Sequence, residues 1–184
     1  MSADRTAVLL TGLPGCGKTT LIRRAVADLG VPAAGFYTEE IRSPSTGSGQ
    51  AAGRREGFAL VTLDGRRATL ASVRIRGPHR VSRYGVDVEA LESVGLPALE
   101  EAAGAKLLVV DEIGKMELFS QRFREAVLRA LDTGGPVLAT IMLSRHPFAD
   151  ALKARNDVRL THVTPENRER ALGEVVSALR DMLR

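Results

Sequence analysis

Residues 6–11, TAVLLT, form an apolar run too short for a helix and ended by a glycine-rich bend, which predicts a buried strand. Beyond the bend, Leu21, Ile22, Ala25, Val26 and Leu29 recur on one helical face, and Gly30 supplies a stop. GFYTEEIR (35–42) reads as a strand, and the Ser/Gly-rich SPSTGSGQAAG (43–53) as a mobile surface loop. REGFALVTLDGRRATLASV (55–73) alternates around Asp64-Gly65, the pattern of a β-hairpin. A helical segment follows over 87–103. Asp87 is its cap, Leu91, Val94 and Leu99 are its apolar side, and Pro97 bends or divides it.

From residue 105 strands and helices alternate. AKLLVVDE (105–112), PVLATIML (136–143) and DVRLTHV (157–163) read as strands, SQRFREAVLRALD (120–132) and HPFADALKAR (146–155) as helices. A last helix runs from Pro165, with Thr164 as its cap and Ala171, Leu172, Val175, Val176, Leu179 and Leu183 as its stripe. This order predicts an α/β fold: a mostly parallel sheet covered on both faces, carrying an antiparallel hairpin insertion over 54–75. No repeat and no linker divides the chain, so residues 1–184 are expected to form one domain.

Composition narrows the setting. Hydrophobic residues at 44% and charged residues at 26% sit near ordinary globular values, so disorder is not the default. No apolar run approaches the ~20 residues of a membrane span, and MSADRTAVLLTG lacks the basic start of a secretory signal. A single cysteine permits no internal disulfide. The expectation is a cytoplasmic protein with no membrane partner. The net charge of +4, carried mostly by arginine, suits anionic partners. Tryptophan is absent and Tyr37 and Tyr84 are the only tyrosines, so few rings are on offer for stacking bases. Nucleic acid is therefore an admitted but disfavoured partner, and the composition singles out no protein partner.

Gly12, Leu13, Pro14, Gly15, Cys16, Gly17, Lys18 and Thr19 match G-x-x-x-x-G-K-[ST] at every specified position, between a strand and a helix. The glycines let successive amides turn inward around phosphate oxygens, and the following helix adds its unsatisfied N–H groups and positive end. Lys18 can then reach the β- and γ-phosphates, and the Thr19 hydroxyl can bind magnesium. Cys16 reads as a small residue tolerated within the loop; a thiol sensitive to oxidation is the weaker reading.

In AKLLVVDEIGKMELF (105–119), the apolar Leu107, Leu108, Val109 and Val110 end in two carboxylates. Asp111 is placed to orient magnesium, mainly through coordinated water, and Glu112 to accept a proton from an attacking water or to position it. A chain with its own candidate base can hydrolyse unaided. A phosphotransferase needs an acceptor pocket, and the sequence offers no clear one. The arginines of VRIRGPHRVSRYGVD (73–87), namely Arg74, Arg76, Arg80 and Arg83, and Arg145 beyond them, are candidates to neutralise charge on a transferring phosphoryl group. For each, a solvated basic loop is the plainer reading. His79, His146 and His162 are too scattered for a metal site.

Five stretches together, PGCGKTT, GFYTEEIR, RYGVDVEALE, VVDEIGKMELFS and TPENR, resemble the nucleoside-triphosphatase family that includes thermophilic enzymes and the vertebrate cancer-related nucleoside-triphosphatase. The resemblance spans nearly the whole chain in order. It implies a P-loop fold of the RecA-like or kinase-like kind, a three-layer sandwich. It also implies magnesium-dependent hydrolysis of ATP, GTP and other nucleoside triphosphates to diphosphate and phosphate, with loose base preference. Carried over by position, the nucleotide contacts would be Gly12 to Thr19 (Walker A) and Leu107, Leu108, Val109, Val110, Asp111, Glu112, Ile113 and Gly114 (around Walker B). The insert at 43–53 looks longer than the family needs. Two alternatives stand behind hydrolysis: phosphoryl transfer to a nucleotide or polynucleotide end, and a nucleotide-dependent RNA- or protein-binding switch.

Overall fold

The computed structural model describes residues 6–44, 53–100 and 104–184. Strand β1 (Ala7–Thr11) runs into the glycine loop and helix α1 (Lys18–Leu29), then β2 (Ala33–Arg42), β3 (Arg55–Thr62) and β4 (Arg67–Ser72). Short strands β5 (Arg80–Val81) and β6 (Tyr84–Val86) lead into α2 (Val88–Ala90), a π-helical turn over Leu91–Gly95, and α3 (Leu96–Glu100). The second half alternates: β7 (Leu107–Ile113), α4 (Gln121–Asp132), β8 (Val137–Ile141), α5 (Pro147–Lys153), β9 (Val158–His162) and α6 (Arg168–Met182).

Among the described residues these strands form one sheet in the order β5-β6-β4-β3-β2-β7-β8-β1-β9. From β2 to β9 all neighbours are parallel, and from β2 to β5 all are antiparallel. The fold is thus the expected α/β sandwich, with an antiparallel part larger than one hairpin. The hairpin at Asp64-Gly65 forms as expected, Thr62 N–H donating to the Arg66 carbonyl at 2.9 Å. The arginine-rich stretch read as a loop forms β5 and β6 instead: Tyr84 and Val86 are buried, Gly85 and Val86 pair with β4, and Tyr84 pairs with Val81 of β5. Among the described residues, no helix is long and apolar enough to cross a membrane.

The central strands β1 and β8 are buried at every position, as expected for parallel strands covered on both faces. Alternate residues of β1 enter two cores. Val8 and Leu10 pack with α1 and α6 residues such as Ile22, Ala25, Val175 and Leu179. Ala7 and Leu9 join Phe36, Phe123, Leu131 and Leu152 on the opposite face, under α4 and α5. Phe36 and Phe123 meet there at 6.2 Å between ring centroids, tilted by 50°.

Two helix ends differ from expectation. Leu96 N–H bonds to the Leu91 carbonyl, five residues back, so the break expected at Pro97 is a widened π turn just before it. The proline ring cannot sit against a carbonyl four residues back, and the wider turn removes that clash. Asp87 caps the segment as expected, accepting from Ala90 N–H at 2.9 Å; residues 101–103, assigned to the same helix, lie outside the described residues. Helix α6 begins at Arg168 rather than Pro165. Thr164 and Asn167 exchange hydrogen bonds, Thr164 N–H to Asn167 Oδ1 at 2.8 Å and Asn167 N–H to Thr164 Oγ1 at 3.3 Å, which closes a separate turn first. Of the loop expected over 43–53, residues 45–52 also lie outside the described residues. Its ends are held together, Ser43 N–H donating to the Arg54 carbonyl at 2.9 Å.

The parallel and antiparallel halves meet at β2, where Gly35 pairs with Val109 of β7. Gly35 has φ +117°, and a Cβ there would lie 1.8 Å from the Val109 carbonyl oxygen. Gly35→Ala combines backbone strain with this clash. It should destabilise the protein by about 2 kcal/mol or more, read as a lowered urea midpoint at unchanged slope. A midpoint shift worth less than about 0.5 kcal/mol, the scale of an ordinary surface change, would contradict the account.

Candidate active site

The loop between β1 and α1 curls so that Gly12, Gly15 and Gly17 all have positive φ, at 151°, 78° and 99°. Leu13, Pro14 and Gly15 face solvent, while Cys16 is buried among the core residues under α1. Helix α1 opens at Gly17 with no side-chain cap, so its first N–H groups are left for a ligand. Lys18 folds back over the loop, Nζ donating to the carbonyls of Gly12 at 3.0 Å and Leu13 at 3.1 Å. Its Nζ lies 4.0 Å from Cys16 Sγ.

Next to the loop, Asp111 ends the buried part of β7 and is itself only 2% exposed. Both its oxygens are held. Thr19 Oγ1 of α1 donates to Oδ2 at 2.6 Å, and Thr140 Oγ1 of β8 donates to Oδ1 at 2.5 Å. Burial pushes the Asp111 carboxyl up from its ordinary range, while the two threonine hydroxyls and the Lys18 charge act against that rise. Glu112, half-buried beside it, is also pushed up, first by burial and then by the negative charge of Asp111, with Lys18 opposing. The peptide between these two residues is cis.

The remaining residues of the second segment divide by role in the packing. Leu107 and Val109 enter the core under α1 and α6, Val110 and Ile113 the opposite core, and Leu108 packs at its margin. The segment therefore offers the site two carboxylates and the turn that follows. Gly114 N–H donates to Glu117 Oε2 at 3.2 Å within this turn. A Cβ on Gly114 would stand 3.0 Å from Glu117 Oε2 and 3.3 Å from Glu112 Cδ, so both carboxyls crowd the space that the missing side chain leaves. Glu117 is buried, and burial together with the Glu112 charge raises its pKa to about 8.

Reading the sequence missed Thr140, Glu117 and Arg168. Thr140 looked like any polar residue in an apolar strand, and Glu117 like part of a short acidic turn. Arg168, in the late TPENR stretch, lies across the loop: a Cβ on Gly17 would come within 2.8 Å of its Cδ and 3.0 Å of Nη1. No local pattern carries that placement, which depends on β9 returning beside β1.

The five arginines singled out from sequence spread apart. Arg74 pairs with Glu56 at 3.2 Å, and Arg83 donates to the Arg55 carbonyl at 2.6 Å and to the Tyr84 hydroxyl at 3.0 Å. Arg76 is exposed. Arg80 and Arg145 line one cavity together, which none of Gly12 to Thr19 borders.

Oxygen donors dominate the centre. The Thr19 hydroxyl and the Asp111 carboxylate, already within hydrogen-bond distance of each other, are the hard ligands that suit magnesium. Among the described residues no group of three or more His, Cys, Asp or Glu is placed to hold a metal by itself.

Residues 7–176 match the family model described as NTPase. The nucleoside-triphosphatase THEP1 of Thermotoga sp. (strain RQ2) is 43% identical over 174 residues, covering 94% of this chain and 95% of that one. The human cancer-related nucleoside-triphosphatase is 43% identical over 190 residues, covering 94% and 96%. The crystal structure of THEP1 from Aquifex aeolicus superposes with a TM-score of 0.83 at 35% identity, over 94% of this chain and 98% of the other. The solution structure of the human protein gives 0.79 at 41% identity, over 97% and 98%. By the family match over residues 7–176 and by these relatives, the chain belongs to the NTPase family, among the nucleoside-triphosphatases.

Proposed function

We propose that this chain hydrolyses nucleoside 5′-triphosphates, ATP and GTP among them with loose preference for the base, to nucleoside diphosphate and phosphate in a magnesium-dependent reaction. One observation above all supports the reading. Hydroxyls from α1 and β8 converge on the buried Asp111, next to Glu112 and beside a loop shaped for phosphates. The names of the relatives point the same way.

In this reading the loop amides and the first N–H groups of α1 hold the β- and γ-phosphates. Lys18, resting on the carbonyls of Gly12 and Leu13, exchanges those contacts for phosphate oxygens when the ligand arrives. Thr19 and Asp111 would hold magnesium, whose charge would offset the negative charge developing on the phosphate oxygens. Thr140 keeps the Asp111 carboxylate oriented. Glu112 takes a proton from the water that attacks the γ-phosphorus as the bond to the β–γ bridging oxygen breaks. Its raised proton affinity makes it the stronger base, and the nearby Lys18 charge favours its ionised form. Glu117, mostly protonated at neutral pH, places an uncharged group rather than a third anion beside Glu112. Arg168, alongside Gly17, is positioned to add a cation to the phosphate side of the ligand.

Phosphate release from ATP, GTP, CTP and UTP without an added acceptor tests the reading. Release from several of them that needs magnesium is expected. Tight nucleotide binding with no release would overturn it. Lys18→Ala should lower turnover on the order of 100-fold or more. Glu112→Gln should keep nucleotide affinity and lose roughly 100- to 10,000-fold in turnover, and full activity in that variant would remove Glu112 from the role of base. Arg168→Ala should weaken nucleotide binding roughly tenfold, seen by equilibrium titration, and an unchanged affinity would detach Arg168 from the ligand.

Glu117 sets a pH dependence of stability. Its folded pKa of about 8 stands above the ordinary 4.5, so the folded chain binds this proton more tightly than the unfolded chain. Stability from this group is greatest below about pH 4.5 and declines as pH rises towards about 8. Glu117→Gln keeps an oxygen to accept from Gly114 N–H and removes the titration. Urea midpoints at pH 5 and pH 8 should therefore differ less in the variant than in the parent chain, and an equal decline in both would refute the assignment.

A further inference from the structure

At the same end of the parallel strands as the glycine loop, a cavity of about 380 Å³ opens between the β5 edge, the turn after β7 and the segment after β8. Arg80, Lys115, Arg145 and His146 line it on its polar side, Phe119 and Met142 on its apolar side. Most arginines of this chain sit in ion pairs, as Arg23 does with Glu39, Arg24 with Glu169 and Arg122 with Glu92. The cavity's cations are arranged otherwise. Among the described residues Arg80 donates to the Arg83 carbonyl at 3.0 Å, and neither Lys115 nor Arg145 is paired with a carboxylate. None of the lining residues carries a carboxylate, and three positive charges gathered in a concavity attract a multiply charged anion.

The apolar side restricts the class further. Phe119 is 37% exposed, and its ring leans on His79 at 4.8 Å between centroids. Leu118 and Met142 close the floor beneath it, both nearly buried. His146 is held in place, Nδ1 accepting from Phe148 N–H at 3.2 Å, which puts the ring proton on Nε2. The volume falls within the ~300–1,000 Å³ of small-molecule sites, and a basic wall opposite an aromatic edge matches a phosphate joined to a flat ring system. We propose that this cavity is a second ligand site, separate from the triphosphate loop, that takes a nucleoside monophosphate through Arg80, Lys115 and Arg145. Its wall is continuous with the site already described, since Lys115 lies in the turn that Gly114 and Glu117 close and Met142 N–H donates to the Ile113 carbonyl at 3.0 Å. The proposal does not depend on what the loop hydrolyses.

Calorimetric titration of AMP, GMP and inorganic phosphate separates the two sites. Each probe is added to the full chain saturated with magnesium and the β,γ-imido analogue of ATP, and in parallel to the Lys18→Ala chain. One of the monophosphates should bind in both preparations, at least tenfold more tightly than inorganic phosphate. Arg145→Ala and Lys115→Ala should each weaken it on the order of tenfold, and Arg145→Lys less than Arg145→Ala. Both side chains are exposed, so the variants should melt like the parent. Loss of monophosphate binding in both the saturated and the Lys18→Ala chain would place the anion in the loop and overturn the proposal. Equal affinity for inorganic phosphate, or no change in the two alanine variants, would overturn it as well.

Discussion

The carboxylate of Asp111 ties together three elements at the mouth of the loop: α1 through Thr19, β7 through its own backbone and β8, already paired with β7, through Thr140. A buried anion is tolerated only when its oxygens are satisfied, and here each of them receives a hydroxyl. Removing either threonine would leave one oxygen unpaired in the core. The same contacts that make the charge tolerable also fix where β7 ends relative to the loop. The phosphate loop leaves Leu13, Pro14 and Gly15 in solvent, and Asp111 with its two partners supplies a buried reference point beside it.

Around that anchor the molecule concentrates acids rather than spreading them. Asp111, Glu112 and Glu117 occupy one short strand end and its turn, and burial raises all three. Three buried anions side by side would repel strongly, and the fold eases this by leaving one of them protonated. Glu117 is the member with a main-chain donor and a pKa of about 8, and Glu112 is the one left half-open to solvent. Environment thereby sets Glu117, with its pKa of about 8, apart from an ordinary carboxyl. Lys18 is the compensating charge for the anions, and a bound triphosphate would compete for it.

Much of this was readable before any coordinates. The loop, the strand ending in Asp111-Glu112 and the alternating second half all rest on local patterns: a fixed spacing, a buried run, a helical stripe. What escaped sequence reading is non-local. Thr140 matters because β8 lies between β7 and β1, an order that no pattern within the strand reveals. Arg168 matters because β9 flanks β1 and brings the start of α6 over Gly17. The π turn at Leu91–Gly95 and the late start of α6 were misplaced by a few residues, because a proline and a threonine–asparagine exchange adjust helix ends locally. The arginine-rich stretch was misread because its charge concealed two buried residues, Tyr84 and Val86, that stitch it to the sheet.

The hydrogen bond from Ser43 N–H to the Arg54 carbonyl closes the chain ends of β2 and β3 like the neck of a pouch. Arg42 adds a second stitch to the Gly53 carbonyl at 3.1 Å. Residues between two ends so joined can change in number without pulling on either strand. Each doubling of their length adds only about 0.6 kcal/mol of closure entropy. Strand β1 and its loop lie three places along the sheet from β2 and feel none of it. The stretch between Ser43 and Arg54 is thus a point where this chain could change in length while β1 and its loop stay the same.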